Sequence, residues 1–194
     1  MAGYPAIAAT NEALLGLLES AAAGTEFAGT RFDHYGAKDL NDPMSDGVSL
    51  WLYRVTVDTI RRNLPPRLAP DGTRYKPSLP LDLHYLLVAW GSPLKQQRLL
   101  GWCARVIEDS PIVPAGLLNH YGPERVFGPD EAVELAWEPL SQQDVYDIWD
   151  VAKEHAQPAI PYVARAVEIE STVPLHEYAL VQTRELDYAG EVEP

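Results

Sequence analysis

LPLDLHYLLVAWGSPLKQQRLLGW, residues 79–102, decides the fold of this chain. From Leu81 to Trp90 the segment is apolar on both faces apart from Asp82 and His84, which predicts a strand inside a sheet covered on both sides. Ser92-Pro93 then supplies an N-cap followed by proline at the first helical position. Leu99, Trp102, Cys103, Val106 and Ile107 form the inward stripe of a helix running to about Asp109, and Pro111 stops it. The segment carries no nucleophile motif, phosphate loop or metal-ligand spacing, so it reads as architecture.

The flanking sequence extends this pattern. Residues 6–22 carry Ile7, Leu14, Leu15, Leu17, Leu18 and Ala21 with few breakers, predicting an amphipathic helix that ends at Ala22-Ala23-Gly24. A short strand is expected between Glu26 and Asp33, followed by a turn-rich loop at Asn41-Asp42-Pro43 and Asp46-Gly47. In Val48–Thr59, Trp51, Tyr53, Val55 and Val57 alternate with Arg54, Thr56 and Asp58, the period of two of a half-buried strand. Val133, Leu135 and Trp137 alternate with Glu134 and Glu138 in the same way. Ser141-Gln-Gln-Asp144 approximates a capping box, with Leu140 and Val145 placed as a staple, so a helix bearing Val145, Ile148, Trp149 and Ala152 starts there. Tyr162–Ser171 reads as a last strand, with Val163, Val167 and Ile169 on one face and Glu168 and Glu170 on the other. The class is α/β (α+β), with helices packed on a mixed, largely antiparallel sheet.

The 194 residues suit one domain, 1–171, with an acidic C-terminal extension, 172–194. In that extension Glu177, Glu185, Asp187, Glu191 and Glu193 face Arg184 alone, while Tyr178, Leu180, Val181, Leu186 and Tyr188 offer docking side chains. Hydrophobic residues make up 46% and charged residues 22%, with a mean hydropathy of -0.18, the balance of a folding chain. Fifteen Lys and Arg against 28 Asp and Glu give a net charge of -13, which disfavours nucleic acid and acidic membranes as partners. No stretch is apolar enough to span a bilayer and no signal peptide is apparent, so synthesis in the cytoplasm is expected. The single cysteine, Cys103, lies on an apolar helix stripe and reads as an inert buried thiol. Prolines mark two long loops, near 60–79 and 110–131, each a candidate contact surface.

Little chemistry is encoded locally. His34, His84, His120, His155 and His176 lie far apart with no zinc-type spacing, and no GxSxG, GxGxxG or GxxxxGK[ST] pattern occurs. Asp82 and His84 share a strand face, so the carboxylate could orient the imidazole for general-base work, or the two could tie adjacent loops or subunits together. Glu131, Glu134 and Glu138 form an acidic group, the last two expected on the wet face of a strand. Arg61-Arg62-Asn63 is either an anion contact or the polar exit of a strand. Trp51, Trp90, Trp102, Trp137 and Trp149 fall one per predicted element; core packing explains most of the set, and an exposed member would be an interface anchor. No catalytic, cofactor-binding or metal-ligating residue is assigned.

Taken in order, VSLWLYRVTVDTIRRN, LPLDLHYLLVAW, QQRLLGWCARVIEDSPIVP, WEPLSQQDVYDIWD and PYVARAVEIES are similar to a known family. Over about residues 7–171 the chain resembles the N-terminal domain of cap or tube-terminator proteins of extracellular contractile injection systems. These are phage-tail-like particles of the antifeeding prophage and Photorhabdus virulence cassette types. The resemblance implies a phage tail-terminator-like protomer, not an enzyme and without cofactors, that forms a ring of six ending the inner tube and sheath. Its implied partners are other copies of itself and the tube and sheath proteins. Leu81, Asp82, His84, Tyr85, Leu100, Gly101 and Trp102 match as fold-defining positions. Functions that depend on the larger C-terminal region of some relatives are not carried over. Two other readings stand beside it: a small cytoplasmic hydrolase or binding protein using Asp82 and His84, and an adaptor that forms no ring.

Overall fold

The computed structural model describes residues 2–122, 125–150 and 155–175. Helix α1 (Ala6–Ala22) leads into β1 (Phe32–Tyr35) and β2 (Gly47–Val57). A small hairpin, β3 (Arg67–Leu68) and β4 (Arg74–Tyr75), precedes β5 (Leu79–Trp90) and α2 (Pro93–Glu108). Then follow β6 (Ile112–Pro114), α3 (Ala115–Tyr121), β7 (Ala132–Trp137), α4 (Gln142–Trp149) and β8 (Ala159–Ile169). Six strands form one sheet in the order β1-β2-β5-β8-β7-β6, antiparallel throughout except for the parallel β1/β2 pair. The mixed, largely antiparallel α/β architecture expected from sequence is the one observed.

Strand β5 lies inside the sheet, as its two-sided apolar run requires. On one face Leu81, Leu83, Tyr85, Leu87 and Ala89 meet Leu14 and Leu18 of α1, Leu99 and Cys103 of α2, and Leu118 of α3. Each fully buried aliphatic side chain there contributes about 1.5–3 kcal/mol of transfer free energy. On the other face Leu86, Val88 and Trp90 join Trp51, Leu40, Met44 and Trp149 of α4 in a smaller core. The Trp90 indole donates to Ser49 Oγ at 2.8 Å, so the buried N–H is satisfied. Cys103 is buried, and burial pushes its thiol up to about 12, the inert state expected for it.

Two bulges redirect the side chains. Leu52 pairs with Tyr85 but Arg54 with His84, so Tyr53 is an extra residue and both Tyr53 and Arg54 point to the α4 side. The inversion breaks the predicted alternation: Trp51 and Tyr53 pack on the α4 face, Val57 returns to the larger core, and Val55 is exposed. In β8, Leu81 pairs with Val167 but Leu83 with Ala164, so Arg165 and Ala166 together oppose Asp82. Val163 consequently faces His84 rather than sharing a side with Val167 and Ile169.

Ala166 takes the left-handed conformation, with φ of 64°, which strains an alanine and not a glycine. The strain relieved in Ala166→Gly, about 1 kcal/mol, is offset by about 0.5–1 kcal/mol of added unfolded-state entropy. Urea denaturation of this variant should therefore show stability within about 0.5 kcal/mol of the parent, while Ala166→Val should lose about 1–3 kcal/mol. A valine tolerated without loss would contradict the assigned backbone.

Other expectations are corrected. The segment from Glu26 to Thr30 is a run of turns fixed by Thr25, whose hydroxyl donates to the Ala22 carbonyl and accepts from the Phe27 amide; only Phe32–Tyr35 is strand. The two proline-marked loops contain structure: the β3/β4 hairpin in the first, β6 and α3 in the second. Trp137, expected in the core, is 50% exposed and rests against Tyr162 with ring centroids 5.6 Å apart. The capping box of α4 is present in full, with Ser141 Oγ accepting from the Asp144 amide and the Asp144 carboxylate accepting from the Ser141 amide. Beyond β8, Val173 O accepts from Lys76 N and Leu175 N donates to Arg74 O, so the chain runs alongside β4. Ala152, His176, Tyr178, Leu180, Val181, Leu186 and Tyr188 lie outside the described residues.

Candidate functional site

The β2 bulge builds the main polar cluster of the molecule. Because Tyr53 and Arg54 both face the α4 side, they converge with His84 of β5 on Glu138, the residue that leaves β7 toward α4. Glu138 Oε2 accepts from the Tyr53 hydroxyl at 2.8 Å, and Oε1 lies 2.7 Å from an Arg54 Nη and 2.8 Å from His84 Nδ1. Thr56 Oγ1 lies 2.8 Å from His84 Nε2 on the other side of the ring. With the carboxylate beside Nδ1, that nitrogen carries the proton and Nε2 accepts from the Thr56 hydroxyl. Burial first, and then the hydrogen bond to Glu138, holds the Tyr53 hydroxyl well above the ordinary phenol range.

This arrangement changes the role of each residue singled out in the sequence. Glu138, placed on a wet strand face by its alternation with Trp137, is largely buried and is the carboxylate that orients His84. Asp82 is not His84's partner. It sits opposite Arg165 and Ala166 beside an open depression of about 430 Å³ shared with Thr56, Asp58 and Ile60. Its Oδ1 is buried without a hydrogen-bond partner, and its carboxyl is raised, chiefly by burial and then by the charge of Asp58. Both ring nitrogens of His84 are occupied by protein groups and the ring is only 7% exposed, so it has neither a free lone pair nor an open approach for a substrate proton.

Two arginines of the connection between β2 and β5 are engaged. Arg61 pairs with Glu168 at 2.6 Å, and Arg67 reaches Glu170 at 3.5 Å while covering the Tyr75 ring. These four line a cavity of about 410 Å³ together with Asp130 and Glu131, so its wall holds four carboxylates and two arginines. Among the described residues no group of three His, Cys, Asp or Glu is placed to hold a metal, and no helix is long and apolar enough to cross a membrane.

What the bulges and α4 leave outside is surface. Helix α4 carries Val145 and Tyr146 outward, and apolar hollows open along it. One, of about 270 Å³, is lined by Leu140, Val145, Trp149 and Pro161; another, of about 360 Å³, by Trp51, Tyr53, Leu140 and Ile148. Sequence reading missed the Glu138 cluster because neither bulge leaves a local signature.

The sheath/tube terminator of an extracellular contractile injection system, PVC, in its extended state aligns with a TM-score of 0.60 at 12% identity, covering 94% of this chain and 64% of that one. The anti-feeding prophage cap, a tube-terminating cap, aligns with a TM-score of 0.59 at 14% identity, covering 92% of this chain and 60% of that one. At these identities the likeness establishes the fold, a tail-terminator fold, and the chain spans less than two thirds of the length of either neighbour. A sequence search of curated proteins gives no match. The Pvc16 N-terminal domain matches residues 9–183, nearly the whole chain and further than the resemblance read from residues 7–171. The chain belongs to the Pvc16 N-terminal domain family.

Proposed function

We propose that this chain is the structural cap of a phage-tail-like contractile injection system, forming a ring, six-membered by the family resemblance, that ends growth of the inner tube and sheath. The family match over residues 9–183 carries the reading, and the shared fold of two tube terminators supports it. Synthesised in the cytoplasm, it joins the particle through contacts to itself, the tube and the sheath. Residues 1–171 act as the cap body and 172–194 as an acidic extension, whose first residues run beside β4. Termination is a matter of shape: one face matches the last ring of the tube and the other offers nothing for a further ring to match. The role calls for no bond chemistry. The Glu138 cluster, with His84 held on both sides, suits a stiff scaffold better than a hydrolase site. Electron microscopy of particles assembled with and without the chain tests the proposal. Without it, tube and sheath lengths should scatter widely or the two should lose register; an unchanged length distribution would sink the cap reading.

A further inference from the structure

Charge is unevenly placed on this acidic chain. Between Asp58 and Ser78, the connection from β2 to β5, lie Arg61, Arg62, Arg67, Arg74 and Lys76 against Asp58 and Asp71 only. Glu168 of β8 and Glu170 just beyond it pair with Arg61 and Arg67, while Arg62 and Lys76 are exposed. The same connection presents Ile60, 94% exposed, and Leu68, 66% exposed. Ile60 is followed directly by Arg61 and Arg62, and an exposed apolar side chain next to arginine has the composition of an interface anchor.

The opposite composition occurs at α4. From Glu138 to Asp150 there are four carboxylates and no Lys or Arg. Glu138 is consumed by Arg54, Tyr53 and His84, but Asp144, Asp147 and Asp150 are exposed around Val145 and Tyr146, the latter 62% exposed. Hydrogen bonds from Ser141 hold the Asp144 carboxyl below the usual carboxylate range, which keeps this face anionic. The cavity of about 360 Å³ beside it has Asp144 and Asp147 at its rim and Trp51 and Ile148 in its wall, with Arg54 as the one cation.

The two surfaces lie at different ends of β5: the connection enters the strand at Leu79, and α4 packs over Leu86, Val88 and Trp90. Leu79 and Leu86 are about 23 Å apart along an extended strand. Two complementary patches separated in this way on one protomer find each other on successive copies. We infer that the β2–β5 connection of one copy docks on the α4 face of the next, with Ile60 entering the hollow beside α4 and Arg62 and Lys76 facing Asp144 and Asp147. The inference rests on the ring reading above and supplies its repeating contact, a heterologous one in which different surfaces meet and a ring closes when the rotation closes.

Cross-linking of the full chain through introduced cysteines tests it, since Cys103 is buried and unreactive. The double variant Ile60→Cys/Tyr146→Cys, treated with a short bis-maleimide, should give a ladder of linked copies, while each single variant should stay monomeric. Adding Asp147→Arg to the double variant should weaken the ladder about tenfold, because like charges then meet across the contact. All the altered side chains are exposed, and matching urea midpoints confirm that the variants fold. Absence of a ladder, equal linking in a single variant, or a ladder indifferent to Asp147→Arg overturns the inference. A ladder from a protein whose removal leaves particle lengths unchanged would preserve this contact and sink the cap reading. The reverse pair of results would do the opposite.

Discussion

Glu138→Ala should destabilise the fold by about 2–4 kcal/mol in urea denaturation with little change in slope. Three donors converge on this carboxylate: the Tyr53 hydroxyl, the Arg54 guanidinium and His84 Nδ1. Arg54 is half exposed and regains water when Glu138 is removed, so its share of the loss is small. Tyr53 and His84 are more enclosed, and a buried donor left without an acceptor costs about 1–3 kcal/mol each. Glu138→Gln keeps one acceptor oxygen and the side-chain volume, so it should lose about half as much. The position has a second readout, because Glu138 anchors the short link Pro139-Leu140-Ser141 that delivers α4 onto Trp51 and Trp90. Losing the anchor should loosen α4 and shift tryptophan emission to the red before global unfolding, which a merely local loss of hydrogen bonds would not do. If alanine costs less than about 1 kcal/mol, the cluster is not the support of the α4 surface.

Glu138 also marks the limit of what the residues disclose. Where a signal is local and repeated, the chain can be read directly: the two-sided apolar run of β5, the Ser92-Pro93 start of α2 and the capping box at Ser141 each specify their element without reference to anything distant. The bulges cannot be read in this way. An extra residue at Tyr53 or at Arg165-Ala166 leaves composition and propensity untouched, yet reverses the facing of every side chain that follows. For that reason Val55 and Val163 fall on the opposite side from the one their alternation predicts, and a histidine thought to pair with Asp82 pairs with Glu138, 54 residues away. Elements as brief as β3, β4 and α3 are too short to show a period, so the segments holding them read as loops. The family resemblance was legible because it rests on several blocks in order, whereas the contact surfaces depend on side-chain facing that only the folded chain reveals.

Packing between α1 and α3 sets the other large effect, and there the sign of a common substitution should reverse. Gly16 lies in the middle of α1, where glycine costs about 1 kcal/mol of helix propensity relative to alanine. The ring of Tyr121, at the end of α3, occupies the space a side chain would take. A β-carbon at position 16 would overlap Tyr121 Cγ and Cδ1 and come within 2.9 Å of Tyr121 Cβ. Moving only the tip of the tyrosine does not clear an overlap that reaches its Cβ, so α3 itself has to shift and the Tyr121 hydroxyl's bond to Ser20 Oγ, 2.8 Å long, is lost. Gly16→Ala should therefore cost about 1–3 kcal/mol despite its better propensity, and Gly16→Val about 3 kcal/mol or more. In a Tyr121→Gly background, which removes the Cβ as well as the ring, the obstruction is gone, and Gly16→Ala should instead stabilise by about 1 kcal/mol. A double-mutant cycle in urea measures the difference directly, with an expected coupling of about 2 kcal/mol or more. If Gly16→Ala stabilises both backgrounds equally, the two helices do not meet through this glycine. The close approach matters beyond stability: α3 follows directly from β6, the outermost strand on that side of the sheet, so the glycine sets where the β6 edge and the exposed Ile112 on it sit at the surface.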